Sequence, residues 1–245
     1  MPLPSGRLGC SRNTCGAAPV STSVKIRCAA NCTAWTTFGS GRATPSIPIS
    51  NCGEKKRRIR RQIKQLPPRS VVLAEDETDL LLFPPLRACW SPKGYPKRVV
   101  LCGRNARRTV FGALNLRTGR RLFLPRQHQR AGDFQAFLGE VHSSYRGWHV
   151  ALLLDEDPSH TAKGSVRLAE GFDIDLLWLP KRCPKLNPLD TLWGQGKDVI
   201  SSDKQYATID EHVQRFLDHL ESLSAWDALH TAGVYSDDFW LQSVL

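Results

Sequence analysis

The run Val150-Ala151-Leu152-Leu153-Leu154-Asp155 constrains the chain most, because five consecutive apolar residues closed by a carboxylate leave few ways to fold. A short apolar run of this kind reads as a strand buried on both faces, and its last residue then stands at the mouth of a sheet. A second stretch answers it. Leu179 to Trp193 is a turn punctuated by Pro180, Pro184 and Pro188 that delivers Asp190 onto the start of a helix. In that helix Asn187 suits the cap, Pro188 the first position and Asp190 the third.

Between Asp155 and Asp190 lie 34 residues, room for one helix, one strand and the turn. A third acid, Asp76, follows the apolar run Val71-Val72-Leu73-Ala74. Alternation along a strand there puts Ala74 and Asp76 on one face and Glu75 and Glu77 on the other. Three carboxylates can then meet at one edge of a sheet, although periodicity alone does not single out Asp76 among its acidic neighbours Glu75, Glu77 and Asp79.

The rest of the chain reads as alternating elements. Strands are expected over Val71 to Glu77, Arg98 to Cys102, Thr109 to Leu116 and Arg121 to Leu124, with Leu116 to Arg120 as a hairpin turn. Asp133 to Tyr145 reads as a helix with Phe134, Phe137, Leu138 and Val141 on one face. His149 to Asp155 is the central strand, Pro158 to Leu168 a helix, Asp173 to Leu179 a short strand, and Asp210 to Leu223 an amphipathic helix. Strands first, then strands alternating with helices, describe an α/β fold with a mixed sheet flanked by helices.

These residues resemble the DDE superfamily of transposases, in particular bacterial insertion-sequence enzymes related to mariner transposases. The resemblance rests on Asp76-Glu77, on Asp155, and on Pro184-Lys185-Leu186-Asn187-Pro188-Leu189-Asp190-Thr191-Leu192-Trp193, with Trp90-Ser91-Pro92-Lys93-Gly94 as a further family-like segment. It covers roughly Glu54 to the C-terminus and implies an integrase-like catalytic domain of ribonuclease H-like fold. It also implies a function: metal-dependent DNA strand cleavage and strand transfer in DNA transposition. Asp76 would bridge two Mg2+ or Mn2+ ions, with Asp155 and Asp190 each helping to hold one. Water would first free a 3′ hydroxyl, which would then attack target DNA. The implied partner is double-stranded DNA, both transposon ends and target, met by a homodimer. His160 matches an accessory histidine that the family often carries, whereas Glu156 stands where the family commonly has Asn.

The chemistry agrees with that implication. Phosphodiester cleavage needs an activated water and a stabilised leaving oxygen, which two divalent ions about 3.5–4 Å apart supply. Magnesium prefers oxygen ligands and keeps water and phosphate oxygens in its shell, so a few carboxylates suffice. Each acid taken singly has a plainer use: Asp190 at the helix dipole, worth about 0.3–1 kcal/mol, Asp155 as a turn cap, Asp76 as a solvated acid.

Charge is unevenly spread. The net charge is +11, and residues 1–70 hold thirteen Lys and Arg against one acid, Glu54. Lys97 to Arg130 add ten bases and no acid. Such clusters favour a polyanion. Lys55, Lys56, Arg57, Arg58, Arg60, Arg61 and Lys64 form a basic helix stopped by Pro67-Pro68, with a narrow stripe of Ile59, Ile63 and Leu66. It reads as a solvated helix packed on the core, as a DNA-contacting arm, or as both.

Three segments follow: an irregular or disordered segment over residues 1–53, a basic helical arm over 54–70, and the catalytic domain over 71–245. Residues 1–53 contain no Asp or Glu and show no apolar periodicity, and an out-of-frame segment is one reading of them. Cys10, Cys15, Cys28, Cys32 and Cys52 lack the paired spacing of a zinc site and read as free thiols. No apolar run approaches the roughly 20 residues that span a bilayer, so the expected setting is the bacterial cytoplasm, at the nucleoid. Three further readings stay open: a truncated, inactive transposase remnant that binds DNA non-specifically, a basic nucleic-acid-binding module with incidental acids, and a ribonuclease or resolvase of the same fold.

Overall fold

A computed structural model describes residues 52–245 apart from 89, 91, 94, 96, 97, 182, 184 and 185. The acid-free leader, four of its five cysteines, and parts of the Trp90 and Pro184 motifs therefore lie outside the described residues.

The organising element is β1 (Ser70–Leu81), the middle strand of a five-stranded sheet. On one side it pairs antiparallel with β2 (Arg107–Asn115), which pairs antiparallel with β3 (Arg121–Arg126). On the other it pairs parallel with β4 (His149–Leu154), which pairs parallel with β5 (Ile174–Trp178). The order is β3-β2-β1-β4-β5, a mixed sheet. Its parallel half holds the apolar run of β4, in which Val150 to Leu154 are all buried, as expected for a strand covered on both faces.

Pleating splits the strands between two cores. Leu73, Phe111, Leu152 and Leu154 pack with Phe134, Phe137, Leu138 and Val141 of α2 (Ala131–Ser144). Val72, Ala74, Val110, Leu114 and Leu153 face α5 (Pro188–Gly196) and α6 (Ile209–Ser222), which contribute Leu189, Leu192, Trp193, Val213, Phe216 and Leu220. Each fully buried Leu or Phe contributes roughly 1.5–3 kcal/mol. Basic helix α1 (Cys52–Lys64) joins the second core through buried Ile59 and Ile63, and its Arg60 Nε donates to the Trp240 carbonyl at 2.6 Å.

Several elements differ from the sequence reading. Strand β1 runs on to Leu81 instead of stopping at Glu77, because Thr78 and Leu80 stay buried while Asp79 and Leu81 face outward. The run of acids hides this alternation. Arg98 to Cys102 form no strand; Cys102 is instead held by Gln205, whose amide donates to the Cys102 carbonyl at 2.7 Å and accepts from its N–H at 2.8 Å. The helix expected from Pro158 to Leu168 breaks at Ala162, where ψ is 134°, into α3 (Pro158–Thr161) and α4 (Lys163–Gly171). Helix α5 continues into a π-helical turn, Lys197–Ser201, and α7 (Ala225–Thr231) carries no clear periodic signal in the sequence. The β2–β3 hairpin falls where expected: Asn115 Oδ1 accepts from the Arg117 and Thr118 N–H groups at 3.0 Å, and Gly119 takes φ 70°. Among the described residues no helix is long and apolar enough to cross a membrane.

Candidate active site

The parallel pairing of β1 with β4 ends at Ala74 opposite Leu153. Past that point β1 continues alone beside β2, with Asp76 opposite Gly112, and β4 turns away at Asp155. The gap so made forms an edge beside Asp76, which sits inside its strand and not at its end.

Asp190 arrives on α5 as the local chemistry requires. Asn187 caps the helix by accepting from the Leu189 N–H at 3.2 Å, with Pro188 in the first turn. The same side chain donates from Nδ2 to the Glu75 carbonyl at 2.7 Å, a buried bond that ties the third acid's helix to the first acid's strand. Trp193 presses on Gly112 and stacks on Phe216, which seats α5 over β2.

The three acids differ in state. Asp190 is exposed, and the Asp155 side chain is 64% exposed. Asp76 is half-buried; burial first, then the charges of Glu77, Asp155 and Asp190, push its carboxyl up to about 7. Asp155 and Asp190, both distant in the chain, thus act on its charge. Asp155 is held below the usual carboxylate range, chiefly by its hydrogen bond with His160. Lys197, in the π-helical turn seven residues past Asp190, lies within the field of Asp79, Asp76 and Asp190; burial lowers its ammonium and those acids oppose the shift.

His160 is buried under this edge, at 1% exposure, on the opposite face of β1 from Asp76. Its Nδ1 lies 3.1 Å from Asp155 Oδ1 and its Nε2 lies 2.7 Å from Glu77 Oε1. Burial alone would lower its pKa, but the hydrogen bonds to Asp155 and Glu77 and the charges of Glu75 and Glu77 raise it to about 11. His160 is thus a bonded, interior side chain. Glu75 is fully buried, both its carboxylate oxygens lack a hydrogen-bond partner, and burial with the Glu77 charge raises it well above the usual range.

Glu156, where an Asn is common in the resembled family, does not add free charge. It pairs with Lys55 at 2.7 Å and Lys181 at 3.1 Å. Lys55 is therefore committed to Glu156 and Arg60 to the Trp240 carbonyl, while Arg57, Arg58, Arg61 and Lys64 are exposed and Lys56 is half-buried. Reasoning from sequence missed the second bond of Asn187, the Gly112 seat and Lys197. The adjacent Asp76-Glu77 pair was the one visible sign that both faces of β1 carry acids for different purposes.

Comparison with known proteins agrees with this fold. The family model for DDE superfamily endonuclease matches residues 71–212. An insertion element IS630 uncharacterized 39 kDa protein from Shigella sonnei is 25% identical over 187 residues, covering 75% of this chain and 54% of that protein. The chain thus spans about half the length of that relative. The uncharacterized protein y4pE/y4sA of Sinorhizobium fredii is 30% identical over 105 residues, 42% of this chain and 76% of that one. Among solved structures, the mariner Mos1 paired-end complex with Mg superposes with a TM-score of 0.62 at 15% identity, over 86% of this chain and 67% of that chain. The catalytic domain of Mos1 mariner transposase superposes at 0.53 and 14% identity, over 80% of this chain and 93% of that one. The shared architecture is the ribonuclease H-like fold, and with more than half of its length matched by the family model, the chain belongs to the DDE superfamily endonucleases.

Proposed function

We propose that this chain is a transposase catalytic domain that cleaves and transfers DNA strands with divalent metal, using Asp76, Asp155 and Asp190. The observation that carries the reading is that β1 pairs with β4 and is tied to the head of α5 through Asn187, where burial first and then the acidic neighbours raise Asp76 to about 7. Burial and like charge both disfavour its ionised form, and a bound cation would offset both. The donor set is all oxygen and partly open to solvent, which suits Mg2+ or Mn2+. Solved Mos1 complexes of the same fold contain Mg or Mn.

Asp76 would be shared by two ions, with Asp155 and Asp190 each helping to hold one. The ions would supply an activated water and charge stabilisation at phosphorus. Asp155 is prepared for this role, since His160 keeps it ionised. Lys197, within the field of Asp76 and Asp190, would add a cation able to meet a phosphate oxygen of bound DNA.

The partner is double-stranded DNA, as transposon ends and as target, engaged by a homodimer; the Mos1 paired-end complex holds a left transposon end. Residues 71–245 form the catalytic unit and the exposed bases of α1 extend its DNA-facing surface, with the bacterial nucleoid as the place of action. The test is nicking of supercoiled plasmid by the full chain with Mg2+ or Mn2+, beside Asp155→Ala and an EDTA control. Metal-dependent nicking lost in the variant supports the reading. No nicking from folded protein overturns it.

A further inference from the structure

His160 joins the two strands that carry Asp76 and Asp155. From α3 its ring reaches Asp155 Oδ1 at 3.1 Å and the Asp155 carbonyl at 3.2 Å through Nδ1, and Glu77 Oε1 at 2.7 Å through Nε2. Phe134 packs against the ring with centroids 4.4 Å apart, so its plane is held as well as its edges. Both nitrogens are used and the side chain is buried, so it does not reach a phosphate at the surface.

We propose that His160, anchored by Glu77, is a positioning residue that fixes the Asp155 carboxylate relative to Asp76 before any cation arrives. The proposal rests on the metal-centre reading above. Asp155 stands just beyond the end of β4 and is mostly exposed, so nothing in its strand restrains the side chain. Its restraint comes from two hydrogen bonds, both on Oδ1: from His160, and from the Asp157 N–H at 3.0 Å. Oδ2 is left for a ligand. Glu77 is the residue next to Asp76 on the same strand but points to the opposite face, so a link through Glu77 to Asp155 ties the two acids together from beneath. Holding a ligand in place beforehand removes the cost of ordering it on binding, and partners that orient metal ligands are worth about 10- to 100-fold in affinity.

A competing use of the same group is a separate metal site, since one ligand atom each from Glu75, Glu77 and His160 lie within 4.8 Å of one another and Glu75 has no hydrogen-bond partner. The 2.7 Å contact between His160 Nε2 and Glu77 favours a proton there instead of an ion.

The test is Mn2+ binding followed by electron paramagnetic resonance on the full chain without DNA. Two variants accompany the wild type: His160→Gln, and the triple Glu75→Leu/Glu77→Leu/His160→Phe, which replaces the buried charges with apolar volume. Asp155→Ala and thermal melting of every variant serve as controls. Both variants are expected to bind Mn2+ about tenfold or more weakly, and the triple variant to do so while melting no lower than the wild type. A triple variant that melts and binds Mn2+ like the wild type would reduce His160 to a core residue and overturn the proposal. Imidazole nitrogen coupling to bound Mn2+ would also overturn it, by making His160 a ligand. If Asp155→Ala binds Mn2+ as well as the wild type, the metal-centre reading itself falls.

Discussion

Gly112 and Trp193 fit together without room for a methyl group: a Cβ on Gly112 would lie 2.5 Å from Cη2 and Cζ2 of the indole. Gly112 pairs with Asp76 across β1 and β2, and Trp193 follows Asp190 by one helical turn. The indole over the glycine therefore sets how closely the helix bearing Asp190 approaches the strand bearing Asp76.

Gly112→Ala is expected to push Trp193 outward and lower stability by about 1–3 kcal/mol, read from urea unfolding. A shift of about 1 Å at a catalytic group costs on the order of 100-fold, so nicking should fall by more than the loss of folded protein accounts for. Trp193→Phe on the Gly112→Ala background frees space and should restore part of the stability.

Asn187 supports the same approach from the other end of the turn. Asn187→Ala loses a helix cap worth about 1 kcal/mol and a buried hydrogen bond worth about 0.5–1.5 kcal/mol. Asn187→Ser keeps the cap and loses only the bond to the Glu75 carbonyl. Unfolding midpoints should rank wild type above Ser and Ser above Ala; equal midpoints for Ser and wild type would show the strand-to-helix bond to be without effect.

The legible part of this site is the part written in local chemistry. An apolar run with a terminal carboxylate marks β4, and Asn187-Pro188 at the head of a helix announces the cap and the place of Asp190 within three residues. What could not be read depends on pairings between residues far apart in the chain. His160 and Glu77 are 83 positions apart, and Asn187 and Glu75 are 112 apart, so no periodicity connects them. The extension of β1 past Glu77 was obscured because its acids bond across the sheet: Asp79 Oδ1 accepts from Thr109 Oγ1 at 2.7 Å, and Asp79 pairs with Arg107. Arg98 to Cys102 show the reverse case, a β-like composition that forms no strand and ends at Cys102, whose backbone partner is the side chain of Gln205.

Stability should depend on pH through Asp76. Its folded pKa, about 7, lies above the ordinary aspartate value of 3.8, so the folded state holds the proton more tightly than the unfolded chain. Asp76 therefore costs stability progressively as pH rises between those two values, and fully above about 7. Asp76→Asn should stabilise the protein by roughly 2–4 kcal/mol at pH 8 and by little at pH 4, read from melting across that range. Mg2+ or Mn2+ should raise the wild-type melting temperature at pH 8 and the variant's far less.

The exposed bases of α1 should act on DNA through charge alone. Changing Arg57, Arg58 and Arg61 together to Ala is expected to weaken binding to all duplex sequences alike and to lower the salt slope by about 0.9 for each phosphate that the variant no longer neutralises. Arg60→Ala should act differently, lowering stability through the missing bond to the Trp240 carbonyl. Fluorescence anisotropy over a salt series, beside melting curves, separates the two effects.

Glu156→Gln should matter little. Its two lysine partners are near the surface, and pairs of this kind are worth about 0–1 kcal/mol, so stability should change by less than about 1 kcal/mol.

The most direct measurement is a crystal structure of the full chain soaked in Mn2+, with the ions located by anomalous scattering. Peaks held jointly by Asp76, Asp155 and Asp190, and absent from Asp155→Ala, are the expected result. A single peak at Glu75, Glu77 and His160, or occupied Mn2+ that ignores the three aspartates, would rule out a metal centre built on Asp76, Asp155 and Asp190.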